Sequence, residues 1–323
     1  MNRVLVTGAA GNVGTAVVRT LNSDPRYEVR ASDQREMPAW IREACEVHTG
    51  DLRDPDEADQ ALRGCSHVIH LAAIVGGIAN FHQLASTLTE VNSALNNALF
   101  GAAIRFGVER FVYVSSSMVF ERAEVFPTTE AYLPDCPTPY SAYGFSKLAG
   151  EIYCRAANEQ FGLPYTICRP SNAYGPGEFP GDEPGITHVI PDLIGKVLSG
   201  QRPLQILGSG SQTRTFTYFE DVADGIVAAM SSHEGEHEDF NLTSSEEVSI
   251  AEVCEIVWEA CGNDPDEFEL EPLEQPYKTD VQRRILSGEK AKQLLGWETK
   301  VSLRDGIKLT AEWMAGNWSA LRS

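Results

Sequence analysis

The sequence predicts an α/β fold, a doubly wound parallel sheet with a smaller C-terminal α/β region, from three observations. Short continuous apolar runs recur through the first 170 residues, segments of helical periodicity separate them, and a glycine-rich turn joins the first run to the first helical segment. Continuous apolar strands are buried on both faces, and strands that alternate with helices form a parallel sheet covered above and below.

In order, RVLVTG, EVRASD, CEVHTGD, HVIHLAA, RFVYVSSS and YTICRP read as strands, with helical segments at 12–22, 55–63, 90–106 and 142–161. After Pro170 the run NAYGPGEFPGDEPG breaks this rhythm. Beyond it the pattern predicts a helix near 188–199, a strand at 203–207 and helices near 221–231, 249–261, 287–295 and 302–316. The division expected is 1–170 for the sheet domain, with 211–235 returning to it, and 171–323 for a smaller region that meets the substrate.

The 323 residues carry 26 Lys and Arg against 46 Asp and Glu, a net charge of −20. Such a field repels nucleic acid and anionic membranes, so neither is an expected partner, and an anionic ligand must be met by local cations. Cysteines 45, 65, 136, 154, 168, 254 and 261 are scattered without a C-x-x-C pair, so no metal site is expected and the thiols read as reduced. No stretch approaches the roughly 20 apolar residues of a membrane span, and no leader-like segment precedes the first strand. A soluble, cytoplasmic protein is the expectation.

In VTGAAGNVGTAV, Gly8 permits a tight turn, Gly11 lets a pyrophosphate approach the backbone, and Gly14 allows close helix–strand packing. Asn12 and Val13 open the helix whose N-terminus faces the phosphates. Asp33 ends the second strand about 20 residues on, where a carboxylate accepts from ribose hydroxyls and repels a 2′-phosphate, favouring NAD over NADP. Arg35, two residues on, could soften that preference, although a solvated surface arginine is the simpler reading. Asp51 and Leu52 end the third strand near the adenine, and Leu71, Ala72 and Ala73 end the fourth beside the phosphates and ribose.

Tyr143 and Lys147, four apart on a helix, share one face. A phenol with a pKa of about 10 becomes a base near neutrality when a cation stabilises its phenolate. With these residues in hand the chain resembles an extended short-chain dehydrogenase/reductase of the nucleotide-sugar epimerase/dehydratase kind, built on a Rossmann domain. The likeness runs along essentially the whole length: G-x-x-G-x-x-G at 8–14, Asp33, D-L at 51–52, L-A-A at 71–73, the serine-rich strand end, Y-x-x-x-K at 143–147, R-P-x-N-x-Y-G-P at 169–176, Q-T-R at 212–214, D-V at 221–222 and L-G-W at 295–297. The resemblance implies that Tyr143 is the base, that Lys147 holds the nicotinamide ribose and tunes Tyr143, and that Ser116 hydrogen-bonds the reacting sugar hydroxyl. It further implies that Asn92 and Pro170 line the cofactor site, that Asn172 and Arg214 hold a nucleotide diphosphate, and that two long helices, here 90–106 and 142–161, pair into a homodimer. Arg284 is a second candidate for the diphosphate, with Arg283 beside it as a solvated alternative, and HVIP (188–191) and LQILGSG (204–210) could wall the nucleobase.

The segment SSSMVF narrows the chemistry. In the family, the two positions after the catalytic Ser or Thr carry Asp and Glu in hexose 4,6-dehydratases, a Glu in decarboxylases, and Cys in the GDP-fucose synthase and GDP-mannose 3,5-epimerase branch. Here they are Ser117 and Met118, and a thioether can neither give nor take a proton. The expectation is C4 epimerisation of a UDP- or GDP-sugar with NAD, which needs no further acid or base. One feature points elsewhere. Gly76 and Gly77 in AAIVGGIANF resemble the GDP-fucose synthase and 3,5-epimerase branch, would let a loop pass close to the sugar, and set His82 nearby as a candidate acid, although a surface histidine is the simpler reading. A nucleotide-sugar dehydrogenase or reductase, or a C3/C5 epimerase, is therefore the alternative.

Overall fold

The computed structural model describes residues 1–181, 186–275 and 281–321. The chain runs through β1 (Asn2–Thr7), α1 (Asn12–Asn22), β2 (Tyr27–Asp33), α2 (Ala39–Ala44), β3 (Glu46–Thr49), α3 (Pro55–Leu62), β4 (His67–His70), α4 (Ile78–Gln83), α5 (Ala85–Phe106), β5 (Arg110–Val114), α6 (Ala142–Phe161) and β6 (Tyr165–Pro170). Beyond Pro170 come β7 (Ala173–Tyr174), α7 (Val189–Leu198), β8 (Leu204–Leu207), β9 (Thr213–Arg214), β10 (Thr217–Tyr218), α8 (Phe219–Ser231), β11 (Asp239–Leu242), β12 (Val248–Ser249), α9 (Ile250–Ala260), β13 (Leu270–Leu273), β14 (Arg283–Arg284), α10 (Glu289–Leu295) and α11 (Leu303–Leu321).

Seven strands form one parallel sheet in the order β11-β6-β5-β4-β1-β2-β3. This is the doubly wound Rossmann arrangement that the alternating apolar runs predict. One face packs against α1, α2 and α8 through Val17, Leu21, Ile41, Val222 and Ile226. The other packs against α3, α5 and α6 through Leu62, Leu99 and Cys154. The segment at 219–231 thus lies on the main sheet, and so does β11, which follows it and forms the edge beside β6. A separate apolar cluster gathers α7, α9 and α11 with β8 around Ile194, Val257, Trp258 and Ile307. Short strand pairs complete that region: β8 with β13, β7 with β10, and β9 between β12 and β14.

Strand order reverses at β1, whose neighbours are β2 and β4, and the crevice beyond the carboxyl ends of such strands is where doubly wound sheets bind ligands. Helix ends set the position of the side chains there. The Ser141 hydroxyl accepts from Gly144 N at 3.1 Å and starts α6, and Gly162, at φ +71°, stops it. Helix α5 starts at Ala85 rather than at 90, and α4 precedes it where the Gly-Gly loop was expected to continue.

Candidate active site

A single cleft of about 620 Å³ runs from the carboxyl ends of β1 and β4 to the region of α7 and β8. Gly8, Gly11, Asn12, Val13, Gly14, Leu71, Ala72, Ala73, Gly76, Gly77, Ser116, Ser117, Tyr143, Lys147, Pro170, Asn172, Arg214 and Arg284 all line it. Residues from eight separated segments of the sequence therefore meet in one space.

The end at β1 fits a dinucleotide. Gly8 has φ +70°, and a Cβ there would stand 2.9 Å from Ala72 N; a Cβ on Gly14 would stand 2.2 Å from Gly8 O. Gly11 caps α1 with no side-chain hydrogen bond, so the first-turn N–H groups are left for a ligand at the positive end of the helix. The buried Thr7 hydroxyl accepts from Leu71 N at 3.2 Å and Ala72 N at 3.1 Å and lies 2.9 Å from His70 Nδ1, which fixes the 71–73 wall. Burial pushes the Asp33 carboxyl up, but Arg35 and Ala10 N–H outweigh it and hold the group below its ordinary range. Arg35, which lines the cleft, donates to both Asp33 oxygens at 3.1 and 3.0 Å.

Four expected cofactor residues stand back from the cleft surface: Asp33, which lies behind Arg35, and three more. Leu52 is buried in the α3–α5 core, Asp51 is paired with Arg53 at the surface, and Asn92 is buried beneath the loop after β4. There Asn92 Oδ1 accepts from Ile74 N at 2.8 Å, and its Nδ2 donates to Ser146 Oγ at 3.2 Å. Asn92 thus acts on the site by holding its wall to α6. His82 is exposed and lines a separate surface hollow with Tyr140 and Phe145.

At the centre, α6 carries Tyr143 and Lys147 on the face turned to the end of β5. Tyr143 is buried and its ring stacks on Phe81 of α4, with centroids 4.9 Å apart and planes at 4°. Burial raises its phenol pKa, while a hydrogen bond with Ser116 and the charge of Arg284 pull the other way. Lys147 donates to Val114 O at 2.9 Å, and its Nζ lies 5.9 Å from the Tyr143 ring centroid. Desolvation lowers its pKa to about 8 against the opposing charge of Glu151. Glu151 is fully buried one helical turn on; it accepts from Ser115 Oγ at 2.6 Å and from Arg169 Nε and Nη2 at 2.7 Å each.

Arg214 and Arg284 are register partners on β9 and β14, so both side chains project from one face of that small sheet into the cleft. Arg284 is buried, donates to Asn172 Oδ1 at 2.6 Å and touches Met118 Sδ. Burial lowers its pKa to about 10, with Glu121 and Tyr143 opposing. Among the described residues its Nε has no hydrogen-bond partner. Arg283 points the other way and pairs with Glu247 at the surface.

Three carboxylates in the cleft, Glu121, Glu178 and Asp192, escaped the sequence reading. Glu121 follows SSSMVF directly, and its Oε2 accepts from Ser141 N at 2.8 Å and Ser141 Oγ at 3.0 Å. Glu178 and His188 face each other at 2.5 Å, and Glu178 Oε2 is buried with no partner among the described residues. Burial lowers the His188 pKa, but the Glu178 charge outweighs it and the net shift is upward. The sequence reading gave His188 only as part of HVIP, a possible wall of the nucleobase, and gave no sign of its pairing with Glu178.

The model of the NAD-dependent epimerase/dehydratase family matches residues 4–243. The chain belongs to this family. It is 31% identical to UDP-glucose 4-epimerase of Mycolicibacterium smegmatis, over 96% of this chain and 97% of that one. It is 28% identical to GDP-mannose 3,5-epimerase of Arabidopsis thaliana, over 97% and 82%. The structure of Thermotoga maritima UDP-glucose 4-epimerase with UDP-glucose superposes with a TM-score of 0.86 at 29% identity, covering 98% of this chain and 99% of that one. Bacillus cereus UDP-glucuronic acid 4-epimerase, in complex with UDP-glucuronic acid and NAD, gives 0.85 at 26% identity, over 97% and 99%. Members of this family thus act as epimerases at different carbons, and the glycine cradle described above fits the NAD on which the family depends.

Proposed function

We propose that the protein is a nucleotide-sugar epimerase that inverts C4 of a UDP- or GDP-linked sugar through a transient 4-keto intermediate. The observation that carries this reading is the convergence of Tyr143, Lys147 and Ser116 in the cleft, with Met118 at the position where proton-transferring side chains would serve further chemistry.

The glycine turn and the open first turn of α1 would hold the pyrophosphate of NAD, Asp33 its adenosine ribose, and Lys147 its nicotinamide ribose. When bound, NAD supplies the hydride acceptor and donor for C4. Tyr143 takes the proton from O4, helped by the Lys147 charge and by the hydrogen bond from Ser116, and returns it when the alcohol re-forms. Inversion requires the keto sugar to present its other face in between. Asn172, Arg214 and Arg284 would anchor the diphosphate as the pivot, and Gly76, Gly77 and Ser117 leave room for the ring. The hydride removed from C4 would be returned to it, so the cycle is redox-neutral, and the proton lent to Tyr143 comes back as well.

A second reading has its own support. The His188–Glu178 pair could exchange a proton at a carbon beside the ketone, which is C3/C5 epimerisation, and the 3,5-epimerase relative matches the whole chain at similar identity. NMR of products from a panel of UDP- and GDP-sugars in deuterated water separates the two. A new C4 configuration without deuterium at C3 or C5 is the expected result. Deuterium at those carbons would establish the second reading, and a stoichiometric change in nicotinamide absorbance would make the enzyme a dehydrogenase or reductase instead.

A further inference from the structure

We propose that Glu121 is a positioning residue for the reaction: by reaching across to Ser141, its carboxylate holds Tyr143 in register with Ser116. This rests on the nucleotide-sugar reading above and adds to it a residue outside the set of Tyr143, Lys147 and Ser116.

Tyr143 and Ser116 come from different segments. Ser116 opens a short 3₁₀ turn, Ser117–Phe120, and its hydroxyl accepts from Met118 N at 3.2 Å. Tyr143 is the second residue of α6. The chain that joins them passes through one further 3₁₀ turn, Glu130–Asp135, and through no strand or α-helix among the described residues, so backbone regularity does not set their spacing. Cross-links set it instead. Glu121 closes the first turn, its N–H donating to Met118 O at 3.2 Å. Its side chain then spans to the start of α6, where Oε2 accepts from Ser141 N at 2.8 Å and from Ser141 Oγ at 3.0 Å. Ser141 Oγ in turn accepts from Gly144 N at 3.1 Å. A carboxylate at the start of a helix is favoured by the helix dipole and by charge-assisted bonding to free N–H groups.

The two segments also touch directly, since a Cβ on Gly144 would stand 2.7 Å from Met118 O. Tyr143 therefore sits between two anchors, Ser141 before it and Gly144 after it, both pressed to the turn that carries Ser116. Glu121 is buried yet lines the cleft, so the link lies at the reacting end of α6 and not on its outer surface. The hydrogen bond between Ser116 and Tyr143 favours the phenolate, and it forms only while the two segments keep their spacing. A base must lie within hydrogen-bond reach of the proton it takes, and a displacement of about 1 Å lowers the rate about 10²-fold. Slack in the Glu121–Ser141 link would open the Ser116–Tyr143 pair and carry the phenol away from the sugar hydroxyl. The charge of Glu121 has a different target: it opposes the effect of burial on Arg284.

Reach and charge separate by substitution. Glu121→Gln keeps the length and an oxygen that can accept from Ser141 but loses the charge, whereas Glu121→Asp keeps the charge and is one methylene shorter. Steady-state kinetics of the NAD-loaded proteins, on the UDP- or GDP-sugar of the panel that the wild type turns over fastest, test the assignment. In Glu121→Asp and Glu121→Ala, kcat should fall about 10²-fold with KM held within about 3-fold, the pattern of an interaction needed only in the transition state. Glu121→Gln should keep kcat within about 3-fold of the wild type. Titration with NAD shows that each variant is folded. A Gln variant no better than Asp, an unchanged kcat in both Asp and Ala variants, or a loss of NAD binding in both would each overturn the assignment. If the wild type turns over no member of the panel, the nucleotide-sugar reading fails and takes the assignment with it; if the wild type is active and Glu121→Asp matches it, the assignment alone fails.

Discussion

Lys147 is a cation held where burial opposes its charge, and Glu151, one turn along α6, is the carboxylate that opposes that effect. With its pKa lowered from 10.5 to about 8, Lys147 in the folded chain gives up a proton that the unfolded chain keeps up to about 10.5. The unfolded state then binds more protons, so this residue makes the fold more stable as pH rises across that window. Activity should move the opposite way: above about pH 8 Tyr143 loses the neighbouring charge that favours its phenolate, and kcat/KM should fall. In Glu151→Gln that fall should start at lower pH. The same change strips Arg169 of its bidentate partner and should cost about 3–5 kcal/mol in urea denaturation, as breaking a buried pair does. An unmoved pH profile with lost stability would leave Glu151 structural only. Tyr143→Phe should lower kcat about 10²–10⁴-fold while NAD stays bound, and retained turnover would remove Tyr143 as the base. The core of this site was legible because Tyr143 and Lys147 share one helix turn and Ser116 sits at a strand end. Glu178 and His188 meet only through the tertiary fold, and Glu121 reads as a surface residue until Ser141 is seen donating to it twice.

Helix α6 declares both its ends in the sequence, Ser141 as cap and Gly162 as stop, and the structure places it at the residues those signals indicate. The edge strand β11 carries no comparable signal: DFNL is short, and its partner β6 lies some 70 residues earlier, a pairing that no local pattern reports. Helix α4 was hidden likewise, since the glycines before it read as loop. Glycines separate the same way at this scale. A methyl group on Gly14 would meet Gly8 O at 2.2 Å, a backbone atom that cannot rotate aside. Gly14→Ala should therefore open the turn between β1 and α1, costing about 1–3 kcal/mol and much of the NAD affinity. At Gly162 a methyl group meets nothing within 4 Å, and its positive φ is the sole penalty. Gly162→Ala should cost about 1–2 kcal/mol and leave NAD binding intact. Urea melts and titration with NAD read both; equal loss of NAD affinity in the two variants would mean that the turn is not the cofactor cradle.

Across the whole molecule, α5 and α6 pack together over the sheet and leave an outward face. On α6 this face shows Phe145 at 49% and Ile152 at 58% exposure, with Ala149 and Ala156 in the same helical row. Beside it, α5 presents small and polar residues, Ser86, Ser93 and Asn97, against which a second helix pair can approach closely. Among the described residues no helix is long and apolar enough to cross a membrane. A second copy meeting it through the same two helices is the occupant expected, and light scattering should give twice the 35.4 kDa of the chain. Each copy brings a net charge of −20, so such an association would be apolar contact working against long-range repulsion. Salt screens the repulsion and leaves the apolar contact in place, with a Debye length near 30 Å at 0.01 M and 3 Å at 1 M. The dimer should therefore tighten as salt is raised, the reverse of an interface held by ion pairs. Ile152→Glu should give a monomer at every salt concentration while keeping the NAD site, which lies at the ends of β1 and β4. A monomeric wild type at high salt, or a dimer that survives Ile152→Glu, would place the interface elsewhere.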